Sequence, residues 1–150
     1  KTPVVTTLDT PFEIGKAQVF YEKDKFLEKS NGIIVTGTLL FNALKSAQLL
    51  EDQGIGVTVL HVPTIKPLDA EAVINLAKEH QTIVTVEEHQ RAGGLGGAVA
   101  ECLSENSPIK IIRVGVDDKF GQSGEPNELI EYYNMGTKAI VEAGIRSLNT

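Results

Sequence analysis

The sequence predicts an α/β protein with three layers, in which helices cover both faces of a mostly parallel five-stranded sheet. Short apolar runs rich in β-branched residues alternate along the chain with segments whose apolar residues recur at helical spacing. Such runs are typical of strands that are buried on both faces, as they are in parallel sheets. The first strand comes before the first helix with only a turn region behind it, so we expect it to add antiparallel at an edge.

The elements follow one another in a regular order. We predict five strands, at residues 16–21, 32–36, 57–62, 82–86 and 109–114. The spacing predicts helices over residues 39–50, 70–80 and 97–104, and a last helical region, starting near residue 129, that divides at residue 136. Asp69 is the expected cap of the helix at 70–80, and Thr137 is the expected cap of the last helix. Residues 1–15 are expected to form an extended arm.

The composition indicates a single globular domain over residues 1–150. A net charge of −6 argues against a nucleic-acid partner, which would need a basic face. No apolar run approaches the roughly 18 residues of a membrane span, and the first residues hold no signal-peptide core. The chain also lacks an initiator methionine, which is typical of a trimmed chain or of a fragment of a longer one.

Several standard sites are excluded. The one cysteine, Cys102, cannot form an internal disulfide, and as a small buried thiol it fits a reducing compartment, so we expect a cytoplasmic protein. The three histidines, at positions 61, 80 and 89, have no zinc-like spacing to that cysteine. Asp117 and Asp118 lack a third carboxylate at a matching spacing, so we expect no metal site. Gly94 and Gly96 begin a dinucleotide fingerprint that fails at Val99.

The chemistry-bearing residues gather in residues 85–101, where the fourth strand is predicted to end and a helix to begin. The candidates are Glu87, Glu88, His89, Arg91, Gly93, Gly94 and Gly96. The two acids and the histidine could form an acid–base set, because neighbouring carboxylates shift one another's pKa. Adjacent strand residues point to opposite faces, however. We therefore favour the hypothesis that one glutamate accepts N–H bonds from the glycine turn, while the others face solvent or a subunit interface.

The glycines of the same segment permit two interpretations. Free N–H groups at a helix amino terminus, with Arg91 beside them, could hold a small anion. Alternatively, glycine lets the chain reverse tightly and approach a neighbouring strand or subunit. Because no recognised phosphate motif is present, we favour the structural interpretation.

Five segments of the chain, taken in order, resemble the carboxyl-terminal domain of the transketolase family. They are EIGKA at 13–17, IVTG at 34–37, ALKSAQLLEDQGIGVTVLHVPTIKPLD at 43–69, TVEEHQRAGGLGGAVAE at 85–101 and VGVDDKFGQSGEPNELIEYY at 114–133. The related 1-deoxy-xylulose-5-phosphate synthases and beta subunits of 2-oxo-acid dehydrogenases share this domain. The chain departs from the pattern at residues 133–135, where Tyr-Asn-Met stands in place of a common Tyr-Gly-Leu.

The resemblance implies a division of labour. The full enzyme of this family transfers two-carbon ketol units between sugar phosphates. A Gly-Asp-Gly…Asn motif in an amino-terminal domain holds thiamine diphosphate through Mg²⁺, and a glutamate in a middle domain activates the cofactor. Neither region occurs in these 150 residues, so we expect no catalytic, cofactor-binding or metal-binding residue here.

The expected partners are the cofactor-binding domains or subunit of the same enzyme, together with a second copy in a homodimer that uses the segment from Glu87 to Gly97. An alternative from another class is a free-standing module that binds a small anion through His89, Arg91 and the glycine N–H groups. A nicotinamide-dependent oxidoreductase is disfavoured by the broken fingerprint.

Overall fold

A computed structural model of the chain describes residues 3–23 and 27–149. The strands are β1 (Gln18–Tyr21), β2 (Lys29–Val35), β3 (Ile55–His61), β4 (Thr82–Gln90) and β5 (Lys110–Val116). The helices are α1 (Leu40–Glu51), preceded by a 3₁₀ turn at Gly37–Leu39, then α2 (Ala70–Glu79), α3 (Leu95–Asn106), α4 (Pro126–Tyr132) and α5 (Thr137–Leu148). Residues 1 and 2 of the predicted arm, residues 24–26 and residue 150 lie outside the described residues.

The strands form one mixed sheet in the order β1-β3-β2-β4-β5. Strands β2, β3, β4 and β5 are parallel, and Ile33 of β2 lies opposite Val59 of β3 and Val84 of β4. Strand β1 pairs antiparallel with β3 at one edge. The predicted sheet, including its antiparallel edge strand, is confirmed.

Helices cover both faces of the sheet, as predicted. Helices α1 and α5 pack with Ile33 on one face, whereas α2 and α3 pack with Ile34 on the other. Both isoleucines are fully buried, because successive strand residues point to opposite faces and each face has its own helix layer. Buried residues at helical spacing make the inner face of α1: Leu40, Ala43, Ala47 and Leu50.

Asp69 confirms the predicted cap of α2, since its side chain accepts a hydrogen bond from the Ala72 N–H at 3.1 Å. The predicted cap of α5 is wrong. Gly136 occupies the N-cap position with extended backbone, and no side chain caps this helix. Thr137 already lies inside the helix, and its hydroxyl instead accepts a bond from the side-chain amide of Asn42 on α1 at 3.2 Å.

Two predicted boundaries near the fourth strand are also wrong. Strand β4 continues to Gln90, four residues past its apolar run, because Gln90 pairs with Val116 of β5 and the Arg91 N–H donates to the Val116 carbonyl. Helix α3 begins at Leu95 instead of residue 97. The candidate residues Glu87, Glu88 and His89 therefore lie within a strand.

The topology creates a crevice between β2 and β4. The connection that leaves β2 runs through α1 to β3 on one side, whereas the connection that leaves β4 runs through α3 to β5 on the other. In open α/β sheets the carboxyl ends of two strands that diverge in this way leave a gap where ligands commonly bind. The candidate segment borders that gap.

Candidate functional site

A crevice of about 330 Å³ lies at the carboxyl ends of β2 and β4. Its lining residues are Thr36, Gly37, Ile65, Glu87, Glu88, His89, Gly93 and Gly94. Five of the seven candidate residues therefore come together there. Arg91 lines a different groove, and Gly96 lies in the first turn of α3.

Glu87 is the buried centre of this region. Its side chain is 1% exposed, and its two carboxylate oxygens accept hydrogen bonds from the N–H groups of Leu95 at 2.7 Å and Gly96 at 2.9 Å. Because these N–H groups carry the positive end of the α3 dipole, they stabilise the charge that burial would otherwise penalise. The hypothesis that one glutamate anchors the glycine turn is confirmed.

The glycines near Glu87 are required by close contacts. A Cβ atom at Gly94 would lie 2.0 Å from Oε2 of Glu87, and one at Gly96 would lie 2.8 Å from Oγ1 of Thr85. A side chain at either position would push β4 and α3 apart. Gly93 is different, because it has a φ of +80° and open space where its Cβ would stand.

These contacts bear on the anion hypothesis. Two N–H groups that would cradle an anion at the start of α3 already bind Glu87, and the carboxylate occupies the space beside them. An external anion would have to displace this carboxylate or bind next to its charge. The role of the glycine segment in anion binding stays a prediction.

Glu88 and His89 line the same crevice as Glu87 but differ from it in burial and in hydrogen-bond partners. Glu88 is exposed on the opposite face of β4, where its carboxylate accepts a hydrogen bond from the hydroxyl of Thr38. His89 is exposed, and its carbonyl oxygen lies only 2.8 Å from where a Cβ at Gly115 would stand. Glu88 therefore diverges from Glu87, as strand alternation predicts. The absence of a catalytic role for these residues stays a prediction.

Arg91 is engaged in an ion pair with Asp117, which follows β5. The hydrogen bond and the charge of the Arg91 guanidinium hold the pKa of the exposed Asp117 carboxyl below its ordinary value. Arg113 of β5 donates to the Arg91 carbonyl at 3.1 Å. These cross-strand partners escaped the sequence analysis, since their positions depend on the pairing of β4 with β5.

The remaining titratable candidates are structural. His80 is buried, with Nδ1 2.8 Å from the Leu76 carbonyl and Nε2 3.0 Å from the Thr58 hydroxyl. Burial lowers its pKa and also that of His61. Burial and the charge of Glu105 raise the pKa of the half-buried Cys102 thiol, which keeps it protonated and poorly nucleophilic.

Neither a metal cluster nor a membrane span is found in the part of the chain that the structure describes. Residues 3–23 and 27–149 contain no group of three or more histidine, cysteine or acidic side chains placed to hold an ion. The helices in the same ranges are too short or too polar to cross a bilayer.

Sequence comparison identifies the family. The model described as "Transketolase, C-terminal domain" matches residues 28–140, which is most of the chain. The chain belongs to the transketolase C-terminal domain family. The resemblance inferred from the sequence motifs is confirmed.

Similar proteins include complete enzymes and enzyme subunits. The chain is 42% identical over 132 residues to the 6-deoxy-6-sulfo-D-fructose transketolase subunit SqwH of Clostridium sp. (strain MSTE9), which covers 88% of this chain and 39% of the relative. It is 36% identical over 141 residues to the 1-deoxy-D-xylulose-5-phosphate synthase of Gloeobacter violaceus, covering 93% of this chain and 21% of that enzyme. Both relatives are thus more than twice as long as the part they share with this chain.

A solved structure agrees with the fold in detail. A chain described as "Split gene transketolase, inactive beta4 tetramer" matches with a TM-score of 0.90 and 38% identity, over 98% of this chain and 46% of its own length. The structural likeness therefore covers nearly the whole chain, including β1, which precedes the matched residues 28–140.

Proposed function

We propose that this chain is the assembly domain of a thiamine-diphosphate enzyme that transfers two-carbon ketol units between sugar phosphates. The observation that carries the proposal is the burial and hydrogen bonding of the Glu87 carboxylate. This carboxylate, a candidate acid or base of the segment, is buried and bound to two backbone N–H groups. The segment thus joins β4 to α3 and leaves no free acid aimed at a substrate.

Thiamine diphosphate and Mg²⁺ do not fit the crevice. A diphosphate needs free N–H or cationic groups, and Mg²⁺ needs oxygen ligands. In the crevice the N–H groups of Leu95 and Gly96 are taken, and the acids that remain are the engaged Glu87 and Glu88. We propose that other domains or a partner subunit of the enzyme hold the cofactor.

The reaction could also be that of a 1-deoxy-xylulose-5-phosphate synthase or of a 2-oxo-acid dehydrogenase beta subunit, since these enzymes share the domain. We favour ketol transfer, because the transketolase subunit shares 42% identity with this chain and the synthase 36%. We also propose a cytoplasmic location, which suits the free Cys102 thiol.

We propose that the segment from Glu87 to Gly97 forms a homodimer contact through its exposed residues. Glu88, His89, Ala92 and Gly93 face solvent, and no side chain covers Gly93. A backbone without side chains allows another chain to approach closely. In an isologous contact each residue lies near its own copy or near the two-fold axis.

Sedimentation velocity tests this contact with a matched pair of variants. Ala92→Arg places a charge in the exposed segment, whereas Asn75→Arg places the same charge on the exposed face of α2. We expect Ala92→Arg to weaken dimerisation by about tenfold or more, which is about 1.4 kcal/mol, and Asn75→Arg to leave it unchanged. A monomeric unmodified chain, or equal effects of the two variants, would overturn the dimer contact.

A further inference from the structure

A larger cavity, of about 610 Å³, lies along the outer edge of β5 and shares no lining residue with the crevice. Within residues 3–23 and 27–149 the sheet order ends at β5, so the N–H and C=O groups on its outer side have no strand partner. Val114 and Gly115 of β5 line the cavity, together with residues of α5 and of the loop after β5. The cavity therefore borders an unpaired strand backbone.

All three arginines of the 150-residue chain line this cavity, which is called the arginine groove from here on. Arg91 follows β4, Arg113 lies within β5, and Arg146 lies in the last turn of α5. Lys119, in the loop after β5, adds a fourth basic side chain, whereas only two of the lining residues are acidic. The groove is therefore basic, although the chain as a whole carries a net charge of −6.

Glycines hold two of the arginines against the backbone. A Cβ atom at Gly115 would lie 3.1 Å from Cγ of Arg91, and a Cβ atom at Gly96 would lie 2.8 Å from Cδ of Arg113. Nη1 of Arg113 also donates to the Arg91 carbonyl at 3.1 Å, which engages one of the five N–H groups of its guanidinium. Arg91 and Arg113 are thus positioned in advance, which lowers the entropy cost of binding.

The arginines remain available to another acidic group. Arg113 and Arg146 are exposed, and neither forms an ion pair with any residue that the structure describes. Arg91 is paired with the exposed Asp117, and a surface pair of this kind contributes little, so a second carboxylate can replace it. Charges on an edge strand also prevent pairing between copies, but two of the three arginines lie outside β5.

Aromatic side chains complete one end of the groove. Tyr132 is 59% exposed, and its ring meets that of Tyr133 edge to face with centroids 4.9 Å apart. The Tyr133 hydroxyl donates to the Phe120 carbonyl at 2.8 Å, which ties the end of α4 to the loop after β5. Tyrosine and arginine are the residue types that contribute most at protein interfaces.

We propose that an extended acidic segment of another protein binds in the arginine groove and adds to β5 as a further strand. Strand addition would satisfy the outer N–H and C=O groups of β5. Carboxylates of the segment would meet the forked donors of Arg113 and Arg146. A second copy fits poorly, because pairing two β5 edges would bring the same arginines together. The site does not depend on which reaction the enzyme catalyses.

Fluorescence anisotropy tests the proposal on the subunit as its gene encodes it. The probe is a labelled eight-residue peptide in which threonine and glutamate alternate. We expect saturable binding that Arg146→Gln weakens by about fivefold or more, because the charge-assisted bonds of one guanidinium are lost. Lys78→Gln removes the same charge from the exposed face of α2 and should leave the affinity unchanged.

A second peptide separates strand addition from simple charge attraction. It keeps every glutamate but has proline in place of each threonine, so it cannot donate N–H groups to a strand at those positions. We expect it to bind at least about fivefold more weakly, since strand addition depends on main-chain hydrogen bonds.

Equal affinity for the two peptides would overturn strand addition. Absence of saturable binding, or equal losses in Arg146→Gln and Lys78→Gln, would overturn the groove as the site. Loss of peptide binding as the protein concentration rises would overturn the proposed occupant, because a second copy would then cover the edge.

Discussion

Glu87 connects β4 to α3 through two hydrogen bonds, and this local arrangement could be anticipated only in part. Strand alternation predicts that Glu87 and Glu88 diverge, and the glycine run predicts a turn that needs an acceptor. Which of the two acids turns inward depends on the face that α3 covers. That choice is made by tertiary packing and is not encoded in the spacing of the residues.

Replacing Glu87 by alanine leaves the buried N–H groups of Leu95 and Gly96 without an acceptor. We expect the free energy of unfolding to fall by about 3 kcal/mol, since a hydrogen bond to a charged group contributes about 1.5–3 kcal/mol. Glu88→Ala, at the exposed neighbouring position, should change it by less than about 0.5 kcal/mol. Urea unfolding of both variants measures the difference, and similar losses would show that Glu87 is not the anchor.

Two glycines of the same segment provide a second comparison. Gly94→Ala forces a Cβ against the Glu87 carboxylate, so we expect a loss of about 1–3 kcal/mol from overpacking. Gly97→Ala lies inside α3 with open space at its Cβ, so we expect a gain of about 0.5–1 kcal/mol from helix propensity. Melting curves of the two variants should move in opposite directions, and shifts of the same sign would contradict the packing described here.

Among the elements, β4 shows where sequence patterns stop being informative. The apolar run at 82–86 identifies the strand, but the polar residues that follow continue it through pairing with β5. Helix α5 shows a related limit, since Thr137 has the residue type of a cap while Gly136 has the backbone conformation of one. Pairing with β5 decides where β4 ends, and the Thr137 hydroxyl is bound by the Asn42 side-chain amide instead of capping α5. Asp69 was predictable because its cap contact spans only three residues.

His80, at the end of α2, makes the stability of the fold depend on pH. Its ring lies between the Leu76 carbonyl and the Thr58 hydroxyl, with Lys23 and Glu79 as the nearby charges. Burial lowers its pKa below the ordinary value of 6.5, so below that pH the unfolded chain binds more protons than the folded one. The contribution of His80 to the free energy of unfolding is therefore fully present above pH 6.5, and it is lost as the pH falls through the lowered pKa.

Unfolding by urea at several pH values between 7.5 and 5 checks this expectation. His80→Gln removes the titrating group and should give a flatter dependence, although it is less stable at neutral pH because a buried contact is lost. The half-buried His61, whose pKa is also lowered, contributes the remaining slope in both proteins. An unchanged slope in His80→Gln would contradict the assignment.

For the whole molecule, the sheet, its antiparallel edge strand and its two helix layers follow from the alternation of apolar runs along the chain. The exposed apolar side chains of the arm do not follow from it, because composition alone cannot show which residues of an extended segment face solvent. The engaged Glu87 supports one account of the molecule. In the proposed function, the domain holds an enzyme together, and other sections of that enzyme carry out the ketol transfer.

Calorimetric titration with thiamine diphosphate and Mg²⁺ tests this account most directly. We expect no saturable heat with the 150-residue chain, because the N–H groups of Leu95 and Gly96 are bound to Glu87 and residues 3–23 and 27–149 hold no set of metal ligands. The subunit as its gene encodes it, together with the proposed partner, should bind the cofactor under the same conditions. Saturable, Mg²⁺-dependent binding of thiamine diphosphate by the 150-residue chain alone would contradict the claim that this domain takes no part in the chemistry.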